Sequence, residues 1–298
     1  MASPRRRSLS RARSWRAEPI GSDFEAAAGD GVTLRGTRDG DGPPILLAHG
    51  LTAHRELVVH GSNALQRRGH EVIRYDARAH GESDAGPRGS RTYDHLGDDM
   101  EAVLAATVPA GGPLPVLAGH SMGAHTLVGL ALRDPDRVAG LVVIGPAVVG
   151  GPAPDGGSWD ALADGLERDG IDGFIAAYSE GLDPEWSETL IRIARDRLSV
   201  HRDLGALAAA LREIPRSSPF DGLAELEGLD VPALVVASGD EADPTHPYAV
   251  AEAYAESLPR ARLISEASGQ SPLAWQGGRL SREIATFCAE DAVRERVG

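Results

Sequence analysis

Lysine is missing from this chain: all 30 basic residues among its 298 are arginine, which we read as a bias of composition rather than a functional signal. Cysteine is nearly missing. Cys288 stands alone, so the chain can form no internal disulfide and no cysteine-based metal site. No apolar run reaches the length of a membrane span, so no membrane partner is expected. The start, Met1-Ala2-Ser3-Pro4-Arg5-Arg6-Arg7-Ser8, is basic but has no apolar stretch behind it, and does not read as a secretion signal. There is no His-Glu-x-x-His, no clustered Cys/His pattern and no Gly-x-Gly-x-x-Gly dinucleotide loop, so neither a metal nor a cofactor is expected. No histidine follows His246, an absence that matters below.

What is present suits one sizeable core with a small accessory unit: 298 residues at 42% apolar content. The net charge is −14, although the first 16 residues hold six arginines and no acid. So acidic a body argues against nucleic acid as a partner. The expectation is a cytoplasmic protein with a disordered basic tail over residues 1–20, acting on a small molecule; a homodimer is compatible with it.

Along the chain, residues 22–28 and 31–37 flank Gly29-Asp30-Gly31 and read as a hairpin. Residues 44–48 form a continuously apolar run, as a strand buried on both faces requires. A helix is predicted over 54–68, a strand over 72–75, a helix over 94–108, strands over 114–118 and 138–144, and a helix over 122–133. Residues 148–158 are rich in Gly and Pro and read as a linker. Short helical patterns follow, broken at Asp169-Gly170, at residues 181–184 and at His201, the clearest being 185–198 and 202–213. A strand over 231–237, a helix over 247–258, a strand over 261–264 and a helix over 280–291 complete the pattern. Short apolar strands alternating with helices imply a parallel sheet covered on both faces.

Two motifs carry chemistry. In Gly119-His120-Ser121-Met122-Gly123, an apolar run leads in and a helical pattern leads out. That is the layout of a nucleophile elbow, a sharp turn that lifts a serine hydroxyl off the end of a sheet. The second motif is Asp76-x-Arg78-x-His80-Gly81-x-Ser83. With His49-Gly50 and the stretch Asp240 to Pro244 after a strand, these residues resemble the α/β-hydrolase family, in particular its small cap-bearing hydrolases and lyases. The resemblance runs from about residue 22 to 291. It implies an α/β-hydrolase fold: an eight-stranded, mostly parallel sheet with helices on both faces and a helical cap, residues 148–228, inserted after strand six into a core of 21–147 and 229–298.

The resemblance also implies roles. Ser121 would be the nucleophile, and the amides of Leu51 and Met122 the oxyanion hole. His49 and Gly50 would support or line that loop, and Asp76, Arg78 and His80 would brace the loop after strand four. The acid would be Asp243, with Asp240 the alternative. The family's histidine would follow the last strand, where this chain reads Gly269-Gln270-Ser271. A glutamine amide cannot serve as a general base near neutrality. Four readings stay open: His246 on the acid loop supplies the base; the oxyanion hole serves a lyase, cyclase or rearrangement without an acyl-enzyme; the protein binds a small ligand without turnover; or Gln270 replaces the histidine of a parent protein. His120 and His125 flank the serine without being directed at it.

The cap would roof a pocket for a small or medium, mostly apolar ester, lactone or related carbonyl substrate. Aromatics are only 4% of the chain, yet Trp159, Phe174, Tyr178 and Trp186 fall in the insertion and Trp275 beside Gln270. His49, Gly50, His120, Trp159, Tyr178, Trp186 and Trp275 are candidate substrate contacts. Arg192, Arg195 and Arg197 read as a solvated helix face, able at most to steer a carboxylate. Serine at the elbow disfavours the aspartate-nucleophile chemistries of dehalogenation and epoxide opening.

Overall fold

The computed structural model describes residues 21–152, 157–239, 243, 245–265 and 277–298. Its centre is an eight-stranded sheet: β1 (Ser22–Ala27), β2 (Thr33–Asp39), β3 (Pro44–Ala48), β4 (Glu71–Tyr75), β5 (Val116–His120), β6 (Gly140–Ile144), β7 (Ala233–Ala237) and β8 (Ala261–Ser265). The order is β1-β2-β4-β3-β5-β6-β7-β8. β1 and β2 pair antiparallel, as do β2 and β4, and all other pairs are parallel. The expected hairpin forms the edge, and β5 lies between β3 and β6.

The central strands β3, β6 and β7 are short and wholly apolar because both their faces are covered. Successive side chains point to opposite faces. Leu46, Leu117, Leu141, Val143 and Val235 therefore join one core, with α1 (Tyr93–Thr107), α2 (Met122–Arg133) and α6 (Tyr248–Ser257). Ile45, Leu47, Val116, Val142, Ile144 and Val236 join the other, beneath α7 (Gly277–Cys288). Each such fully buried side chain stabilises the fold by about 1.5–3 kcal/mol.

Between β6 and β7 lie three helices and no strand among the described residues: α3 (Gly157–Ser179), α4 (Ser187–Leu198) and α5 (Leu204–Glu213). This is the helical insertion after strand six. The break expected at Asp169-Gly170 is present, where Gly170 takes φ 63° and turns α3 back on itself. A Cβ at Gly165 would lie 2.3 Å from the Gly173 carbonyl oxygen, so the two halves meet backbone to backbone. α3 packs on α4 and α5.

Two expectations need correction. The helix expected over 54–68 is a run of turns with one short 3-10 segment at Gln66–Arg68. His60 (φ 47°) and Gly61 (φ 69°) are consecutively left-handed, and no right-handed helix passes through them. The closing helix over 280–291 is two helices, α7 and α8 (Asp291–Val297), with Glu290 extended between them.

Candidate functional site

β5 ends at His120 and α2 begins at Met122, leaving Ser121 on the turn at φ 50°, ψ −112°. A non-glycine residue held there stores about 1–3 kcal/mol of strain. Two backbone bonds hold it: the Ser121 amide donates to the Ile144 carbonyl at 3.0 Å, and the His125 amide donates to the Ser121 carbonyl at 3.0 Å. Glycine at 119 and 123 is a packing requirement. A Cβ on Gly119 would lie 2.4 Å from the Gly123 carbonyl carbon, and one on Gly123 would lie 2.2 Å from the Ala48 carbonyl oxygen. The elbow thus lies directly against the end of β3, where the loop of Gly50 and Leu51 begins. A Cβ on Gly50 would stand 3.0 Å from His120 Nδ1 and 3.6 Å from Ser121 Cβ.

That loop is braced from β4. The Ala77 amide donates to His49 Nε2 at 3.0 Å, which fixes the proton on Nδ1, and Nδ1 donates to the Gly50 carbonyl at 2.9 Å. His49 is buried with both ring nitrogens engaged, so it supports the loop rather than meeting a substrate. Burial, then the neighbouring His80, pushes its pKa well below the ordinary value. His80 bridges the Leu51 carbonyl (2.6 Å) and the Arg78 carbonyl (2.8 Å). Arg78 is locked in turn: Nε and Nη2 donate to the two oxygens of Asp99 at 2.7 and 2.6 Å, and Nη1 donates to Asp30 at 2.8 Å and to the Ser90 carbonyl at 2.9 Å. Asp76 accepts from the amides of Arg55 and Glu82. The second motif is therefore a buried brace for the Leu51 loop. Neither the Leu51 amide nor the Met122 amide donates to another described residue.

Sequence reasoning missed His201 at the α4–α5 turn. The Gly81 amide donates to His201 Nδ1 at 2.9 Å, and Nε2 faces the Thr52 carbonyl at 3.4 Å. The ring sits edge-on to His80. Burial, then His80, lowers its pKa to about 3. A histidine at a helix break was the only signal for it.

On the far side of the elbow, His246 Nδ1 bonds Asp243 Oδ2 at 2.6 Å. Burial alone would raise the Asp243 carboxyl, but hydrogen bonds from His246 and Thr245 outweigh it and hold the group well below the usual carboxylate range. The His246 ring packs on His120 with centroids 4.8 Å apart. Gly145, at φ 51°, leaves room for both: its Cβ would lie 3.3 Å from His120 Nε2 and 3.6 Å from His246 Cγ. Burial, then His246, lowers the His120 pKa to about 3. His125 faces away, with Nε2 accepting from the Ala147 amide at 3.1 Å and Nδ1 bonding the Tyr254 hydroxyl at 3.1 Å. Ser121 Oγ has no hydrogen bond to any described residue.

Of the expected cap contacts, Trp159 and Tyr178 are half-buried against the core, and Tyr178 stacks on Phe174. Trp186 is half-buried at the start of α4. Asp240, Gln270 and Trp275 lie outside the described residues. Among the described residues no cluster of His, Cys, Asp or Glu could hold a metal ion, and no helix is long and apolar enough to cross a membrane.

A strained serine between a parallel strand and a helix, with an insertion of helices after strand six, defines an α/β-hydrolase-fold protein with serine at the nucleophile position. The family described as serine aminopeptidase, S33, matches residues 43–166. The chain is 40% identical over 116 residues to the sn-1-specific diacylglycerol lipase ABHD11 of Mus musculus, spanning 38% of this chain but only 36% of that lipase. It is 30% identical over 204 residues to the putative carbamate hydrolase RutD of Variovorax paradoxus, covering 68% of this chain and 75% of that protein. The enol-lactonase of Burkholderia xenovorans LB400 superposes with a TM-score of 0.70 at 25% identity, over 90% of this chain and all of that one. The chain belongs to the α/β-hydrolase superfamily.

Proposed function

We propose that the protein is a serine hydrolase of small, mostly apolar esters, lactones or related carbonyl compounds, with Ser121 as nucleophile and Asp243–His246 as the acid–base pair. The observation that carries this reading is the 2.6 Å bond from His246 to Asp243 beside the elbow. The bond occupies Nδ1 and leaves Nε2 for a proton, which is the division of labour a base–orienter pair needs. The names of the relatives, a lipase, a putative carbamate hydrolase and an enol-lactonase, agree with acyl chemistry of this kind.

In this mechanism Ser121 Oγ attacks the substrate carbonyl and its proton passes to His246 Nε2, directly or through one water. The oxyanion forms against the amides of Leu51 and Met122, where donors are worth most because the charge exists only in the tetrahedral state. The alkoxide leaves with the proton held by His246. Water then attacks the acyl-enzyme by the same route and frees Ser121.

A fluorophosphonate probe tests the reading. One equivalent should attach to Ser121 in the wild type, and His246→Gln should slow both labelling and ester turnover by about 10²–10⁴. An intact fold that takes no label on Ser121 refutes it. One other reading is a lyase or rearrangement that uses the oxyanion hole without an acyl-enzyme; among the described residues Ser121 Oγ meets no base. That reading requires turnover to survive Ser121→Ala.

A further inference from the structure

Three successive carbonyls of the loop after β3 each meet a different imidazole. His49 Nδ1 donates to the Gly50 carbonyl at 2.9 Å, His80 Nε2 faces the Leu51 carbonyl at 2.6 Å, and His201 Nε2 faces the Thr52 carbonyl at 3.4 Å. The rings form a column, with centroids 5.0 Å apart from His49 to His80 and 5.6 Å apart from His80 to His201. His49 and His80 belong to loops that leave the sheet. His201 belongs to the helical insertion, 149 positions from the carbonyl it meets.

The partners of His201 fix where its proton sits. The Gly81 amide donates to Nδ1 at 2.9 Å, so Nδ1 is bare and Nε2 carries the proton. Burial, then His80, lowers the pKa of the ring to about 3, so it holds that single proton at neutral pH. Tethering the insertion does not need an imidazole here: the Arg202 amide already donates to the Gly81 carbonyl at 3.0 Å. What the imidazole adds is a second contact, to Thr52.

That contact opens a row of bonds. The Thr52 carbonyl and the Ala53 amide are the two ends of one peptide group, and the Ala53 amide donates to the Gly50 carbonyl at 2.9 Å. The Gly50 carbonyl and the Leu51 amide are the two ends of another. In a trans peptide these ends point in opposite directions, so the Leu51 N–H is turned away from the donors that hold the Gly50 carbonyl. It donates to no other described residue. This peptide lies against the elbow, where a Cβ on Gly50 would stand 3.6 Å from Ser121 Cβ. Donation therefore runs one way, from His201 through two peptide groups to the Leu51 amide, with His49 adding a second donor at Gly50. Bonds aligned in this manner polarise one another, and the N–H at the end of the row becomes a better donor.

We propose that His201 is a positioning residue for the oxyanion hole, orienting and polarising the Leu51 amide through Thr52 and Gly50, so that the helical insertion takes part in stabilising the transition state. The 3.4 Å link is the longest of the row, so it is the one that a small shift of the α4–α5 turn makes or breaks.

The proposal rests on the serine-hydrolase reading, and its test separates the two. Two variants of the full-length protein divide the work of the ring. His201→Asn sets an amide oxygen where Nδ1 stood and keeps the Gly81 bond, but it does not reach Thr52. His201→Gln sets an N–H near the place of Nε2 and keeps the Thr52 contact, but it leaves the Gly81 amide unpaired. With 4-nitrophenyl butyrate, His201→Asn should lower kcat about tenfold to a hundredfold with KM within about twofold. His201→Gln should restore most of that kcat, at a lower Tm. A ring that only ties the insertion down makes the glutamine variant as slow as the other or slower. That result, or an unchanged kcat in His201→Asn, overturns the proposal. If His201→Asn fails to fold, lactic acid in place of Ala53 cuts the same row without changing a side chain. Its ester offers Gly50 no N–H, so kcat should fall by a similar factor, and an unchanged kcat overturns the proposal. If the wild type takes no fluorophosphonate on Ser121 and cleaves no ester, the hydrolase reading falls and amide exchange decides. Residues 50–53 should then exchange about tenfold faster in His201→Asn than in the wild type. Equal exchange overturns the proposal.

Discussion

Asp99→Ala is the perturbation on which the brace behind the Leu51 loop stands or falls. Asp99 is fully buried and accepts two bonds from Arg78, whose side chain is 1% exposed. Burial opposes the guanidinium's charge, but the bonds and charges of Asp99 and Asp30 outweigh it and raise its pKa. Removing one partner of a buried pair costs about 3–5 kcal/mol, because the other charge is stranded. Asp30 remains as a partner, and its partial exposure puts the expectation at the lower end, about 3 kcal/mol. For a protein of this size that is a fall in Tm of about 6–12 °C. Activity should fall too. Arg78 offers its carbonyl to His80, and His80 holds the Leu51 carbonyl, so a loosened Arg78 displaces a proposed oxyanion donor. A displacement of about 1 Å is worth up to a hundredfold in kcat. Urea unfolding and ester turnover measure both effects. The double variant Arg78→Leu/Asp99→Leu, which strands no charge in the core, should regain most of the stability. A loss below about 1 kcal/mol in Asp99→Ala refutes the reasoning.

Two further perturbations test other parts of the site. His125 has a folded pKa of about 4, lowered by burial and then by His246, against 6.5 for the free side chain. Between those values the unfolded chain takes up a proton that the folded one refuses, so stability should fall by about 3 kcal/mol as pH drops from 6.5 to 4. His49, His120 and His201 add to the same window, so His125→Gln should lessen that slope in urea titrations by about its own 3 kcal/mol share, and an unchanged slope refutes the assignment. Asp30, held below its ordinary 3.8 by Arg78, acts in a separate and lower window: its contribution is complete above 3.8 and is lost only as pH falls below it. Gly123→Ala places a Cβ 2.2 Å from the Ala48 carbonyl oxygen and should cost about 1–3 kcal/mol together with the proposed labelling of Ser121. A variant that labels normally at wild-type Tm refutes the tight contact.

The parts of this protein legible in its sequence are those in which a local pattern has one physical solution. Five consecutive apolar residues at β3, β6 and β7 admit burial on both faces and little else. The glycines of the elbow announce backbone against backbone. Residues 54–68 were not legible, because helix-compatible composition hides a left-handed pair at His60 and Gly61 whose conformation is set by the surrounding loops. Arg197 was legible only in part. Its spacing from Arg195 already sets it on the opposite side of α4, where its Nε is buried, yet polarity alone reads all three arginines of that helix as solvated. Pairings between distant residues left no trace: Arg78 with Asp99 is 21 positions apart, and Gly81 with His201 is 120. His246 stood out among ten histidines only by lying on the acid loop, and its contact with Asp243 required the turn between them.

The link between Gly81 and the α4–α5 turn has a meaning for how such proteins diversify. The Gly81 amide bonds His201, and the Gly81 carbonyl accepts from the Arg202 amide at 3.0 Å, so the insertion is stitched to the same loop that braces Leu51. Helical insertions are often pictured as cassettes exchanged over a constant sheet. In this protein the cassette carries one of the pins of the core beneath it, and a graft that leaves out His201 exports the lid while unfastening the floor.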